Sequence, residues 1–300
     1  MDRLNRRTFI QAAIGGIVAV PRYGIAQSAT PVKIEKTQLG DNLSLLTGAG
    51  ANVVAMTTAD GTIMVDGGLA ENSPALLAAV NGRVTTILNT CWFPEQTGAN
   101  VALGRAGATI IAHENTRLWM TTEITRPWEK RTYPAAPKEA RPNKTFYDKG
   151  AITAGDERIE YGYLLQAHTD GDLYVFFPKA DVLVIGGLVS KNAWPLIDWW
   201  TGGWIGGLAN ALAKLANVGG MQTRIVTAQG PVMSRADLQT QTEMYRTINQ
   251  RLQQLIRKGR SPDEAVAADP TKEFNDKLGN PETFVRLAFQ SLWGQLSPDA

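Results

Sequence analysis

Side chains able to act as nucleophile, metal ligand or general base are scarce in this 300-residue sequence, which has one cysteine, Cys91, and two histidines, His113 and His168. Cys91 lies in the stretch NTCWFPEQTGAN, residues 89–100, with Phe93, Glu95 and Gln96 just behind it. His168 lies in LLQAHTDGDLYVFFP, followed by Asp170 and Asp172. A thiolate beside an imidazole is a nucleophile with its base. Sulfur, nitrogen and oxygen donors together suit zinc. A single cysteine excludes both an intramolecular disulfide and a CxxC zinc site.

Strands must hold these residues. VKIEKTQLG, LSLLTG, NVVAMTT and GTIMVDGG read as extended segments, the last ending at Asp66. RVTTILNT delivers the Cys91 stretch, and DLYVFFP, DVLVIGG and RIVTAQG follow later. Their β-branched content and the Gly, Asp and Asn between them argue strands and turns. SPALLAAVNG predicts a helix with Ser73 as cap, Pro74 at its first position and Gly82 as stop. QTGANVALGRAG and ENTRLWMTT predict short helices, and IGGLANALAKLANV an amphipathic one. Residues 122–146, rich in Pro, Lys and Arg, read as a loop excursion covering a site. From Ser234, read as a helix cap, the pattern turns helical. Two runs of strands, each closed by helices, predict an α/β fold.

The formal net charge is +2 without basic blocks, so nucleic-acid binding has no electrostatic support. Arg6 and Arg7 precede an apolar run from Phe9 to Val20, too short to span a bilayer. This predicts a twin-arginine export signal over residues 1–26, ending at Ala26, and hence a periplasmic protein with no integral membrane segment once the signal is removed. Arg3, Arg6, Arg7, Arg22 and Asp2 leave with the signal, and the remainder is close to neutral.

TIMVDGG, ILNTCWFPEQTGAN, LLQAHTDGDLYVFFP, DVLVIGGLVS and RIVTAQGPV, in that order, resemble the metallo-β-lactamase superfamily over roughly residues 33–235. The resemblance implies a four-layer αββα sandwich over residues 27–233, with residues 234–300 as a C-terminal helical extension packed on it. It also implies a metal site built on an HxHxDH motif. Here Cys91, Phe93, Glu95 and Gln96 stand at that motif's ligand positions, His168 keeps the later histidine, Gly187 replaces the bridging aspartate and Gln229 the final histidine. One inherited nitrogen ligand remains, and a tight zinc site needs at least three protein ligands.

Three readings follow. In the first, the cleft binds a small ligand without catalysis, lined by Asp66, Phe93, Glu95, Gln96, Asp172, Gln229 and Trp194, with no cofactor. In the second, Cys91, Glu95 and His168 hold one zinc ion. In the third, Cys91 and His168 act as a metal-free catalytic pair. The fold argues for a hydrolase of lactone, thioester or β-lactam type, and the lost ligands argue against metal-dependent hydrolysis, so the sequence leaves catalysis open. Trp194, Trp199, Trp200 and Trp204 form either an aromatic binding surface or loop packing. The C-terminal helices suit packing on the sandwich or pairing of two subunits. His113, outside the ligand set, is assigned a local hydrogen bond.

Overall fold

The computed structural model describes residues 32–296, and the export signal expected over residues 1–26 lies outside them. The first strands, β1 (Glu35–Gln38), β2 (Leu43–Thr47), β3 (Val53–Thr58) and β4 (Gly61–Val65), run as antiparallel neighbours. Helix α1 (Ser73–Ala79) leads to β5 (Val84–Leu88). Helices α2 (Pro94–Thr97) and α3 (Asn100–Arg105) lead to β6 (Thr109–His113), and α4 (Glu114–Trp119) follows. A hairpin of β7 (Ile124–Arg126) and β8 (Arg131–Tyr133) stands apart, and β9 (Lys144–Phe146) closes the first sheet in the order β1-β2-β3-β4-β5-β6-β9. The second sheet runs β10 (Lys149–Ala154), β11 (Glu157–Tyr163), β12 (Leu173–Phe177), β13 (Val182–Val184) and β14 (Arg224–Val226), with α5 (Ile205–Leu215) between the last two. Helices α6 (Arg235–Arg257), α7 (Pro262–Ala267), α8 (Asn275–Leu278) and α9 (Glu282–Leu296) complete the chain.

Central strands such as β2, β4 and β13 are apolar runs because both faces are covered, whereas the edge strand β1 is polar and exposed. Leu45, Val54, Ile63, Val65, Leu88 and Ile111 point between the sheets, where they meet Val175, Phe177, Val182, Val184 and Val226. Their neighbours Leu46, Val53, Ala55, Met64, Ile87 and Ile110 point outward to Leu76 of α1 and Leu103 of α3. On the other side Leu183, Ile185 and Ile225 meet α5, α6 and α9 through Leu208, Leu212, Tyr245 and Phe289. Three apolar interfaces between four layers give the expected αββα sandwich. The C-terminal helices share the outermost of these interfaces with α5. Among the described residues no helix is long and apolar enough to cross a membrane.

Local expectations hold unevenly. Ser234 caps α6 in a reciprocal capping box with Asp237, and Ser261 caps α7 likewise with Glu264. Ser73 does not cap α1: it is the first helical residue, because a 3-10 turn over Ala70–Asn72 runs straight into the helix. That helix stops at Ala79, before Gly82, since Val80 is already extended. The single helix expected over QTGANVALGRAG is two, broken near Gly98, where a Cβ would stand 2.2 Å from the Gly68 carbonyl oxygen. The 122–146 excursion is partly ordered as β7, β8 and β9 rather than plain loop.

Candidate functional site

Strand β4 ends in Asp66, which adopts a left-handed backbone with φ 65°. Its Oδ1 accepts the Thr90 N–H at 2.7 Å, and the Thr90 hydroxyl donates to Oδ2 at 2.8 Å. The carboxylate thus orients the start of the Cys91 loop. Burial pushes its pKa up to about 7, against the lowering effect of the Thr90 bonds. Beneath the loop, Asn89 Nδ2 donates to the Gln96 carbonyl at 2.8 Å, and Asn100 Nδ2 to Asn89 Oδ1 at 2.8 Å. This buried amide pair ties α2 and α3 to the end of β5.

The loop so held is apolar inside. Cys91, Trp92 and Phe93 pack with Met120, Ile124 and Ala140 in a small core of their own. Such satellite clusters form under long excursions, and here the 122–146 segment supplies the cover. Cys91 is fully buried, and burial first, then the nearby Asp172 carboxylate, pushes its thiol well above the ordinary cysteine value. Its Sγ lies 3.6 Å from Gln96 Oε1 and 3.9 Å from His168 Nε2.

Asp172 holds the turn that carries His168. Its Oδ2 accepts the backbone N–H groups of His168 at 2.6 Å and Thr169 at 2.8 Å, and its Oδ1 accepts the Thr169 hydroxyl at 2.8 Å. Oδ1 also lies 2.7 Å from His168 Nδ1, but off the line of a hydrogen bond, so this contact is electrostatic. The imidazole packs edge-on to Phe93 with ring centres 5.0 Å apart. Its Nε2 faces Gly187, where a Cβ would come within 2.6 Å.

A cleft of about 170 Å³ opens in front of these groups. Phe93, Glu95, Gln96, Gln229 and Trp194 line it, together with His168 and Gly187. Asp66 and Asp172 do not line it: both are spent on loop N–H groups behind it. Gln229 is tethered by its Nε2 to the Gly50 carbonyl at 2.7 Å. Trp194 stacks on Phe284 of α9 at 4.7 Å and donates to the Gly279 carbonyl at 2.9 Å, so the C-terminal helices fix one cleft wall. Of the other three tryptophans of that region, Trp200 is exposed and two pack away from the cleft. Trp204 covers Gly206 and Gly207, and Trp199 tilts against Trp128. His113 satisfies both its ring nitrogens locally, with the Tyr147 carbonyl and the Asn115 N–H, and stacks on Tyr163.

The residue the sequence did not single out is Arg126. Only 2% exposed, its guanidinium lies over Phe93 at 3.9 Å and Trp92 at 4.4 Å. Nε and Nη2 donate to Asp198 Oδ2 at 3.1 and 2.9 Å, and Nη1 to Glu129 at 3.0 Å. Burial raises the pKa of Asp198, while Arg126 works against the rise. Asp198 was detectable in principle: a carboxylate set in the apolar run PLIDWW must find a cation.

The metal-ligand set converges differently from expectation. Among the described residues, the one His, Cys and carboxylate group close enough to share an ion is Cys91, His168 and Asp172, and Glu95 is not in it. Asp172 meets the Nδ1 edge of His168 while Cys91 meets the Nε2 edge, so the carboxylate orients the imidazole rather than completing a shell around Nε2. That leaves one sulfur and one nitrogen, short of the three protein ligands a tight zinc site uses. Gly187 and Phe93 add none, and Arg126 brings a positive charge. The residues do not fit the dinuclear centre.

No protein-family model and no curated protein sequence matches the chain. Solved structures do match. A metallo-β-lactamase from Pontibacter korlensis is 18% identical, with a TM-score of 0.58, over 71% of this chain and 99% of its own. The DIM-1 metallo-β-lactamase is 15% identical, with a TM-score of 0.56, over 72% and 98%. The stereoselective inverting sec-alkylsulfatase Pisa1 from Pseudomonas sp. is 14% identical, with a TM-score of 0.65, over 89% of this chain and 51% of its own. The chain therefore has the metallo-β-lactamase fold. The larger share matched by the sulfatase takes in part of the C-terminal helices as well. At these identities the likeness is one of fold, and function belongs to the site.

Proposed function

We propose that this chain is an exported, periplasmic protein whose metallo-β-lactamase fold serves as a metal-free binding cleft for a small ligand, without hydrolysis. One observation carries the reading: the old ligand positions still line a cleft, but around Cys91 and His168 they hold an apolar ring and a glycine where a metal would need donors. Cys91 and Phe93 belong to an apolar core, Arg126 covers Phe93, and His168 Nε2 abuts Gly187. Export is supported by Arg6, Arg7 and the apolar run that follows.

The alternative is a divergent hydrolase, and the convergence of Cys91, His168 and Asp172 favours it. The names of the structural neighbours supply its substrates: β-lactams and secondary alkyl sulfates, beside lactones and thioesters. As a metal-free pair, Cys91 and His168 are poorly poised, because the thiol is buried with its pKa pushed up and Nε2 is 3.9 Å from Sγ. The test is hydrolysis of these four substrate classes with zinc supplied. The binding reading expects rates no different from those of His168→Ala. Turnover that disappears in His168→Ala overturns it.

A further inference from the structure

We infer that the cleft selects organic cations, holding an ammonium group on Glu95 and an apolar body against Trp194 and Leu196. The inference rests on the reading of the cleft as a ligand site and adds the ligand's chemical class. Three charged side chains line the cleft: Glu95, Glu129 and Arg126. The Arg126 charge is answered twice, by Asp198 behind it and by Glu129 beside it. His168 Nδ1 lies 2.7 Å from Asp172 Oδ1. Glu95 has no ion pair among the described residues, and its Oε2 is buried in the wall without a hydrogen-bond donor.

Glu95 as a residue is only half-buried, and its carboxylate, without a donor on the wall side, takes an N–H group from the cleft side, best a charged one. An anionic ligand would meet this carboxylate and find the guanidinium already engaged. The aromatic wall takes the apolar body. Phe93 already spends a face on the Arg126 guanidinium, which leaves Trp194 as the wall for the ligand. The cleft's ~170 Å³ is close to the roughly 150 Å³ cavity known to take benzene, so a ring-sized body fits.

Benzylamine, benzyl alcohol and benzoate share that body and differ in charge. Titrated into the exported protein and followed by calorimetry, benzylamine should bind at least about tenfold more tightly than the alcohol, as for a charge-assisted hydrogen bond. Benzoate should bind most weakly. Glu95→Gln should bring the amine down to the level of the alcohol. Glu160→Gln, a carboxylate outside the cleft, should keep the preference, and added salt should narrow it. Equal binding of the three probes, tighter binding of benzoate, a preference that survives Glu95→Gln, or no binding of any probe overturns the inference. Binding of the alcohol without preference for the amine leaves the metal-free binding role standing. That role falls separately, by the hydrolysis assays.

Discussion

Replacing Arg126 with methionine should destabilise the protein by ~3–5 kcal/mol, the cost of breaking a buried ion pair. The magnitude follows from burial. Arg126 is 2% exposed and Asp198 fully buried, and the guanidinium makes two bonds of 3.1 and 2.9 Å to one Asp198 oxygen. Methionine preserves most of the apolar stem, so little of the loss comes from a cavity. An exposed pair would be worth only about 0–1 kcal/mol. Loss of the guanidinium over Phe93 and Trp92 adds to the effect and loosens the β7–β8 hairpin. The assay is urea denaturation at pH 7, reading the midpoint and checking that the slope is unchanged. Arg126→Met with Asp198→Asn should recover part of the loss, because no carboxylate is then stranded. The single variant's deficit should also shrink as the pH falls. Asp198 already sits above its ordinary pKa through burial, and without Arg126 it takes up a proton more readily. A deficit below about 1 kcal/mol, or one that grows toward acid pH, would refute the buried clamp.

Gly187→Asp, which restores the missing bridging ligand, should cost about 1–3 kcal/mol by overpacking, since its Cβ meets His168 Nε2 at 2.6 Å. Zinc should not return that stability, and a zinc-dependent rise in the denaturation midpoint would contradict the packing described. Cys91 should resist a thiol reagent at pH 8 in the native protein and react fully in denaturant, given its burial and raised pKa; rapid native labelling would sink this. Asp66, with its pKa at about 7, keeps a proton in the folded chain that the unfolded chain has already lost above pH ~4. Its contribution is therefore fullest below pH ~4 and is lost as the pH rises to about 7, by up to about 4 kcal/mol. Asparagine keeps the acceptor for Thr90 and tolerates φ 65°, so Asp66→Asn should flatten that slope and gain on the wild type toward pH 8. An unchanged slope in equilibrium unfolding would show that Asp66 is not its source.

Much of the sandwich was legible because its strands are buried on both faces and so read as unbroken apolar runs such as VLVIGG and TIMV. The cap at Ser234 was legible because a local side-chain bond decides it. The cap at Ser73 failed because a preceding 3-10 turn, invisible to periodicity, shifts the helix start. The split between α2 and α3 is set by the approach of Gly98 to Gly68, a tertiary contact. In the site, the scarcity of histidine was enough to question a dinuclear centre, and Phe93, Glu95, Gln96, Gln229 and Trp194 come together along one cleft. Arg126 escaped because nothing local distinguishes it from Arg131 or Arg141; its partner Asp198 lies on a different loop. Glu95, read both as a cleft residue and as a conditional metal ligand, lines the cleft and stands outside the Cys91, His168 and Asp172 group, because motif spacing says nothing of the direction a side chain takes from a short helix.

The measurement that bears most directly on the account is metal retention. The protein is equilibrated with excess zinc, freed of unbound metal by gel filtration and counted by elemental mass spectrometry, beside Cys91→Ala and His168→Ala. A metal-free cleft predicts less than about a tenth of a zinc ion per chain in all three proteins, far below the occupancy of a tight site. Close to one zinc per chain in the parent protein, lost in both variants, would contradict it.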